Sequence, residues 1–306
     1  MKVSVIMPVE RIGGDAERAT RSVLDQKLPY PFELIVVSAE PLGPAGDNRV
    51  RNVLVGDRNP AIRRNRAVSE SRGEILAFMD DDARAEPGWL ATAVDYLESH
   101  PHVLALGGPD PAPEDSSPAE LLSETLLAAP WIGSGVAAHE NRRGVFEIES
   151  PSDVALVNLF VRRSAFTGFD EAIGYIGEDT ALIESLMKGG RVVYHDGVRV
   201  VHRRRAFPGP YLRQRWRYRV KSGEMFVRGS SANRSKIVAF LTAGTFAILL
   251  APLVAIPYAI ATLVLGSRVT RVPWSERWRI PPAFAAHHLT YYFGILWGMV
   301  HGIRRR

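Results

Sequence analysis

Along the N-terminal third of the chain, short runs of consecutive apolar residues alternate with stretches whose apolar positions recur every three or four residues. The runs Lys2–Met7, Phe32–Val37, Val50–Val55 and Ile75–Met79 read as strands, because a brief run that is apolar throughout suits a strand covered on both faces. Ala16–Leu24, Ala61–Ser71 and Trp89–Ser99 carry the longer period and read as helices. Strand, helix and strand in succession predict an α/β fold with a mostly parallel, Rossmann-like sheet flanked by helices. Ligands of such sheets bind at the carboxyl ends of the strands. The stretch 109–118, PDPAPEDSSP, reads as a mobile loop.

The pattern changes in the last quarter. Residues 237–266 hold no charged side chain across thirty positions; one straight helix of that length would reach about 45 Å, against a hydrocarbon core of roughly 30 Å. Pro252 and Pro257 fall in its middle, so it reads as a kinked span or a re-entrant hairpin. The alternative is a buried helix of a soluble protein, but a core helix with no polar face over thirty residues is rare. Residues 283–302 form a second apolar stretch, diluted by His287, His288 and His301 and closed by Arg304, Arg305 and Arg306; it reads as a span or an interfacial helix. The linker 268–279 mixes Arg with Trp274 and Trp278, the chemistry of a headgroup-level helix. Basic residues flank both segments, so the positive-inside rule leaves the topology open.

Composition, the opening segment and charge add further constraints. The 306 residues, 46% of them hydrophobic, suffice for one large domain or two ordinary ones. Cysteine is absent, which excludes disulfides, cysteine-ligated zinc and thiol nucleophiles. The opening MKVSVIMPVE is too short an apolar run to be a signal peptide, so the first domain is expected on the cytoplasmic side of a cell membrane. The net charge of +5 is local: residues 202–236 carry eleven Lys and Arg against one acid, Glu224, while the remainder holds 27 bases and 32 acids. Because this block runs straight into the apolar segment, it reads as a contact for membrane lipids, Arg203–Arg205 in particular, rather than for nucleic acid. A metal nuclease would instead bind DNA with strong salt dependence.

The strand Ile75–Met79 runs into three aspartates, Asp80, Asp81 and Asp82, which repel one another unless a cation compensates them. Two carboxylates at a strand end can share one hard divalent ion, Mg2+ or Mn2+, which keeps places for phosphate oxygens. On the triplet alone, a solvated acidic turn or a helix cap by Asp82 is as good a reading.

The ordered set VSVIMPV, FELIVV, NPAIRRNRAVSESRGEILAFMDDD, LVNLFVRRSAFTGFDEAIGYIGEDTAL, GGRVVYHDGVRVVH and YLRQRWRYRVKSG resembles family-2 glycosyltransferases of the GT-A fold over roughly residues 2–228. The resemblance implies a transferase domain at 1–232, with a nucleotide-sugar half at 1–108 and an acceptor half at 109–232, ahead of a membrane-associated helical region at 233–306. It implies that Asp80 and Asp82 hold the metal with the donor diphosphate and that Asp81 lies near the ribose. Arg64, Pro8, Val9, Glu10 and Ser38 then fall beside the nucleotide; Ser38 and Glu40 stand where the family usually has an aspartate on the base. By the same resemblance His202 reaches the metal or the diphosphate, and Arg213, Arg215 and Trp216 close over the donor. The spacing departs from QxxRW, because Gln214 stands only two before Trp216.

Asp179 matches the family's general base, with Glu178 orienting it; read alone, both acids equally suit a helix first turn. Gly107 and Gly108 read as a close backbone approach ending a strand. Trp131 reads as a stacking platform for a sugar or lipid, or as a core residue. The implied function is inverting, metal-dependent transfer of a sugar from a nucleotide diphosphate donor to a lipid-linked or cell-envelope glycan acceptor. The alternatives are a transferase acting on a bare polyprenyl phosphate and a membrane-anchored scaffold without turnover.

Overall fold

The computed structural model describes residues 1–10, 13–41, 46–129, 143–173, 176–228 and 234–304. The chain divides into two compact units, Met1–Pro113 with Ala138–Arg203, and Glu114–Ala137 with Arg204–Arg306.

In chain order the first unit holds β1 (Val3–Pro8), α1 (Gly14–Leu24), β2 (Phe32–Ser38), β3 (Val50–Leu54), α2 (Pro60–Glu70), β4 (Ile75–Phe78), β5 (Ala83–Ala85), α3 (Trp89–Ser99) and β6 (Val103–Gly107). After the excursion into the second unit come β7 (Val145–Glu147), β8 (Leu159–Arg162), α5 (Glu178–Gly189), β9 (Arg191–His195) and β10 (Val200–His202), α4 (Pro118–Ala128) belonging to the second unit. The main sheet runs β3-β2-β1-β4-β8-β6-β9-β7. β1 lies parallel between β2 and β4, β3 continues that block, and β6 pairs parallel with β9. Strand β8 enters antiparallel between β4 and β6, and β7 closes the far edge antiparallel.

This is the mostly parallel sheet that the apolar runs predict. The alternation of side chains along each strand builds two cores. Val3, Val5 and Met7 pack with Leu34, Val36 and Trp89 on one face, whereas Ile6, Ile35, Val37 and Phe78 face α2 and α5 on the other. Helix α2 starts where the sequence directs: the Asn59 side chain accepts the Ala61 amide at 3.0 Å, and Pro60 takes a first-turn place that needs no N–H.

The loop reading of 109–118 does not hold for its first half. Residues Pro109–Pro113 are buried, and the carbonyls of Pro109 and Pro111 accept the amides of Val200 and His202 at 3.2 and 2.9 Å. Proline removes a donor but keeps its acceptor, so a proline-rich segment can still line one edge of a strand. Gly108 allows this closeness, since a Cβ there would lie 1.9 Å from the Val198 carbonyl oxygen.

The second unit is helical: α4, α6 (Gly209–Arg228), α7 (Arg234–Leu249), α8 (Ala251–Val269) and α9 (Ile280–Arg304). Helix α6, placed with the transferase domain by its sequence, packs along α9 through a stripe of Gly294, Gly298 and Gly302. A Cβ at Gly298 would fall 2.0 Å from the Val220 carbonyl oxygen, and one at Gly223 would fall 2.1 Å from that of Ile295. Backbones approach this closely only where side chains are absent.

The apolar run 237–266 breaks at Leu250, just ahead of Pro252, into two helices. Their 16 and 19 residues reach about 24 and 28 Å. Among the described residues α8 is the one helix long and apolar enough to cross a membrane. Its Leu253 is 74% exposed, and Ile256 and Ile260 project outward with it. Helices α7, α8 and α9 line an apolar cleft of about 600 Å³ that includes Phe240, Tyr258 and His288. Trp274 and Trp278 are exposed in the short turn between α8 and α9.

Candidate active site

Two short strands assemble the charged corner of the first unit. Leaving β4, the chain passes through Asp80, Asp81 and Asp82 into β5, which pairs antiparallel with β10 so that His202 stands opposite Ala83. That register carries the imidazole to the acid triplet, with Nε2 3.1 Å from Asp82 Oδ1. One donor atom each from Asp80, Asp82 and His202 lies within 4.8 Å of the others. The other imidazole nitrogen, Nδ1, stands 3.4 Å from Asp110 Oδ2, and Asp110 is only 3% exposed. A carboxylate behind a ligating histidine fixes the ring and its tautomer. Two carboxylates and an oriented imidazole suit a divalent cation.

Asp110 was missed in the sequence, where it lies in the proline-rich stretch. The available signal was its place two residues after Gly108, just past the carboxyl end of a strand.

Beside this corner opens a cleft of about 630 Å³ lined by Pro8, Val9, Glu10, Ser38, Glu40, Arg58, Arg63, Arg64, Asp80 and Asp81, among others. Its walls are the carboxyl ends of β1 and β2 and the start of α2. Pro8, Val9, Glu10, Ser38, Arg64, Asp80 and Asp81, all assigned to the nucleotide by the resemblance, border the cleft. The Glu10 amide donates to Asp81 Oδ2 at 3.0 Å. Burial pushes the Asp81 carboxyl up to about 6, opposed by that amide and reinforced by Asp82, Asp80 and Glu10. Ser38 is held in place, accepting from Asn52 Nδ2 and donating to the Glu40 carbonyl. Arg58 and Arg63 are further cations at the cleft that the sequence reading did not single out. Arg63 is braced by the carbonyls of Asp57 and Val9.

Arg64 connects the two acidic elements. It is 8% exposed and donates Nη2 to Asp80 Oδ1 at 3.2 Å and Nη1 to Glu178 Oε1 at 3.1 Å. Burial, with Asp179 adding, pushes the Glu178 carboxyl up, and Arg64 pulls it back. Glu178 and Asp179 open α5, whose preceding residue Gly177 has a φ of +101° that favours glycine. Asp179 is half-buried, its Oδ1 accepting the Thr180 amide at 2.7 Å.

The remaining residues singled out in the sequence lie elsewhere. Arg213, Arg215 and Trp216 belong to α6 in the second unit, where Arg215 is buried over the rings of Tyr211 and Tyr218 and Trp216 is exposed. The glycine pair Gly107 and Gly108 packs against Val154 and Val198 of its own chain. Trp131 lies outside the described residues.

A mostly parallel sheet with an acid cluster at a strand end, beside a polar cleft at the carboxyl ends of neighbouring strands, is the arrangement of a GT-A-type nucleotide-sugar transferase domain. Residues 4–144, a little under half of the chain, match the family model of Glycosyl transferase family 2. It is 34% identical over 120 residues to a glucosyl-dolichyl phosphate glucuronosyltransferase of Haloferax volcanii, an alignment covering 35% of this chain and 38% of that protein. The chain thus spans well under half of that curated relative. The solved mannosyltransferase PcManGT from Pyrobaculum calidifontis, in complex with GDP-Man and Mn2+, aligns with a TM-score of 0.58 at 19% identity over 97% of this chain and 87% of its own. S. aureus TarS 1-349 aligns with a TM-score of 0.52 at 13% identity over 100% and 92%. These two likenesses are of fold.

Proposed function

We infer that the protein is an inverting, metal-dependent glycosyltransferase that moves a sugar from a nucleotide diphosphate donor to a lipid-linked acceptor at a membrane. The observation that carries this reading is the Asp80, Asp82 and His202 cluster, backed by Asp110 and opening beside the cleft that Arg64 borders.

In this reading the nucleotide occupies the cleft along Pro8, Val9, Glu10 and Ser38, and its diphosphate turns toward Asp80 and Asp82. A divalent cation bound there, Mg2+ or Mn2+, would neutralise the leaving diphosphate. Arg64 keeps Asp80 in place and holds Glu178 at the head of α5. Asp179 then acts as the base: it takes the proton of the acceptor hydroxyl as that oxygen bonds to the anomeric carbon. The bond to the diphosphate oxygen breaks in the same step, and its electron pair leaves with the nucleotide. One displacement inverts the anomeric centre.

Helix α8 and the exposed tryptophans of the turn after it support membrane attachment. The name of the Haloferax relative supports a lipid-linked acceptor. The test is release of nucleoside diphosphate from a panel of nucleotide sugars, with and without a lipid extract, in Mn2+ or in EDTA. Release that needs both the lipid and the metal is predicted. Equal release in EDTA would overturn metal dependence, and no release from any donor would overturn the activity.

A further inference from the structure

Neighbouring arginines on α2 serve different ends of the cleft. One step along a helix turns a side chain by about 100°, so Arg64 reaches Asp80 and Glu178 while Arg63 reaches the end of β1. The Arg63 Nε donates to the Asp57 carbonyl at 2.6 Å, and its Nη1 donates to the Val9 carbonyl at 3.3 Å. Val9 in turn gives its amide to the Val37 carbonyl at 2.7 Å, one residue before Ser38. The guanidinium is thereby fixed at the carboxyl ends of β1 and β2, where the transferase reading seats the nucleoside. The diphosphate of that reading lies with Arg64 at the acid triplet.

Arg63 is 7% exposed, and among the described residues no carboxylate pairs with it. It lines the cleft, and its two braces leave Nη2 and one hydrogen of Nη1 to a ligand. Both braces are backbone carbonyls, so the fork is held in one orientation before anything binds, which lowers the entropic cost of recognition. A buried guanidinium is stabilised only when acceptors meet its remaining N–H groups.

The neighbouring polar groups do not select a base. The Ser38 hydroxyl donates to the Glu40 carbonyl at 2.6 Å and accepts from Asn52 Nδ2 at 2.8 Å, so its proton is spent. Glu40 is exposed, and its carboxylate can only accept; every nucleobase offers an N–H to such a group. A fixed pair of donors does discriminate. Guanine presents O6 and N7 as adjacent acceptors, adenine sets an amino donor beside N7, and thymine sets a methyl group beside O4.

We propose that Arg63 reads the base of the donor and that this base is guanine, its O6 and N7 accepting from the Arg63 fork. The proposal rests on the transferase reading and deepens it by naming the donor class. Arg63 is not among the residues that the resemblance assigned to the nucleotide.

The experiment titrates the full-length, detergent-solubilised protein in Mn2+ with GDP, UDP, ADP and 7-deaza-GDP, in which a C–H replaces N7. The wild type is predicted to bind GDP about tenfold or more tighter than each of the other three, the discrimination that a two-bond arginine contact to guanine supplies. Arg63→Met, which keeps an unbranched stem and removes the donors, should bind GDP and 7-deaza-GDP equally, with ADP affinity within a few-fold of wild type. Arg63→Lys, which keeps the charge and loses the fork, should fall between. Each comparison is a ratio between ligands on one preparation, so partial unfolding of a variant cancels. A wild type that prefers UDP or ADP, a GDP preference that survives in Arg63→Met, or an equal loss of every nucleotide in that variant would overturn the proposal and leave the transferase reading standing. Binding of no nucleotide by the folded wild type would overturn the transferase reading and the proposal with it.

Discussion

Arg64 of α2 grips Asp80 with one guanidinium nitrogen and Glu178 with the other, so one buried cation joins the strand that ends in the acid triplet to the helix that carries Asp179. The two acids are 98 residues apart in the sequence, and this side chain bridges them in the folded unit.

Arg64→Ala should therefore do more than weaken a ligand contact. Removing one member of a buried pair leaves Glu178 uncompensated, which costs about 3 kcal/mol of stability. Chemical denaturation should show that loss, and nucleotide binding should fall with it. Glu178→Gln should be milder, because the amide keeps an oxygen for Arg64 to bond and Arg64 keeps its pair with Asp80. Equal losses for the two variants would contradict this division of roles.

Asp110 stands behind His202 and should act through it. Asp110→Asn is expected to lower Mn2+ affinity by about 10- to 100-fold, in the range typical of partners that orient a metal-ligating histidine. Electron paramagnetic resonance of free Mn2+ during titration measures this directly. Wild-type affinity in the variant would remove Asp110 from the site.

Asp179→Asn should abolish sugar transfer while donor binding remains within a few-fold of wild type, since the proposed role of Asp179 is taken up only when the acceptor hydroxyl reacts. Transfer at the wild-type rate would sink the base assignment.

The glycine stripe gives a prediction for the helical unit. Gly298→Ala places a methyl group where the Val220 carbonyl oxygen stands, so α6 and α9 must separate, at a cost of about 1–3 kcal/mol. Gly13→Ala, whose Cβ meets nothing within 4 Å, serves as the control. Thermal melting in detergent should separate the two clearly, and equal melting temperatures would argue against the close helix contact.

Some parts of this architecture were legible in the sequence for a physical reason. Strands β1, β2 and β4 are buried on both faces, so their apolar runs were continuous and their positions came out within a residue or two. Strand β8 could not be anticipated as the antiparallel insertion between β4 and β6, because that pairing is a long-range choice with no local signal. The pairing of β5 with β10 is equally non-local, although it is what carries His202 to Asp82. The loop reading at Pro109–Pro113 went wrong by treating proline as a break in structure while its carbonyls remained free to pair. The four-residue spacing of Gly294, Gly298 and Gly302 is present in the sequence, but nothing local names α6 as the helix that packs on it. Arg64 was singled out by resemblance alone; in a run as rich in arginine as RNPAIRRNR, nothing local distinguishes it from Arg63 or Arg66.

The central claim is that the acid triplet and the cleft beside it bind a nucleoside diphosphate through a divalent cation. Isothermal titration of the full-length protein with UDP, GDP, dTDP and ADP, each in Mn2+ and in EDTA, tests it most directly. The account predicts that one nucleotide binds in Mn2+, that EDTA abolishes the heat, and that Asp82→Asn behaves in Mn2+ as the wild type does in EDTA. Binding that is unaffected by EDTA, or no binding of any nucleotide by a protein shown to be folded, would contradict it.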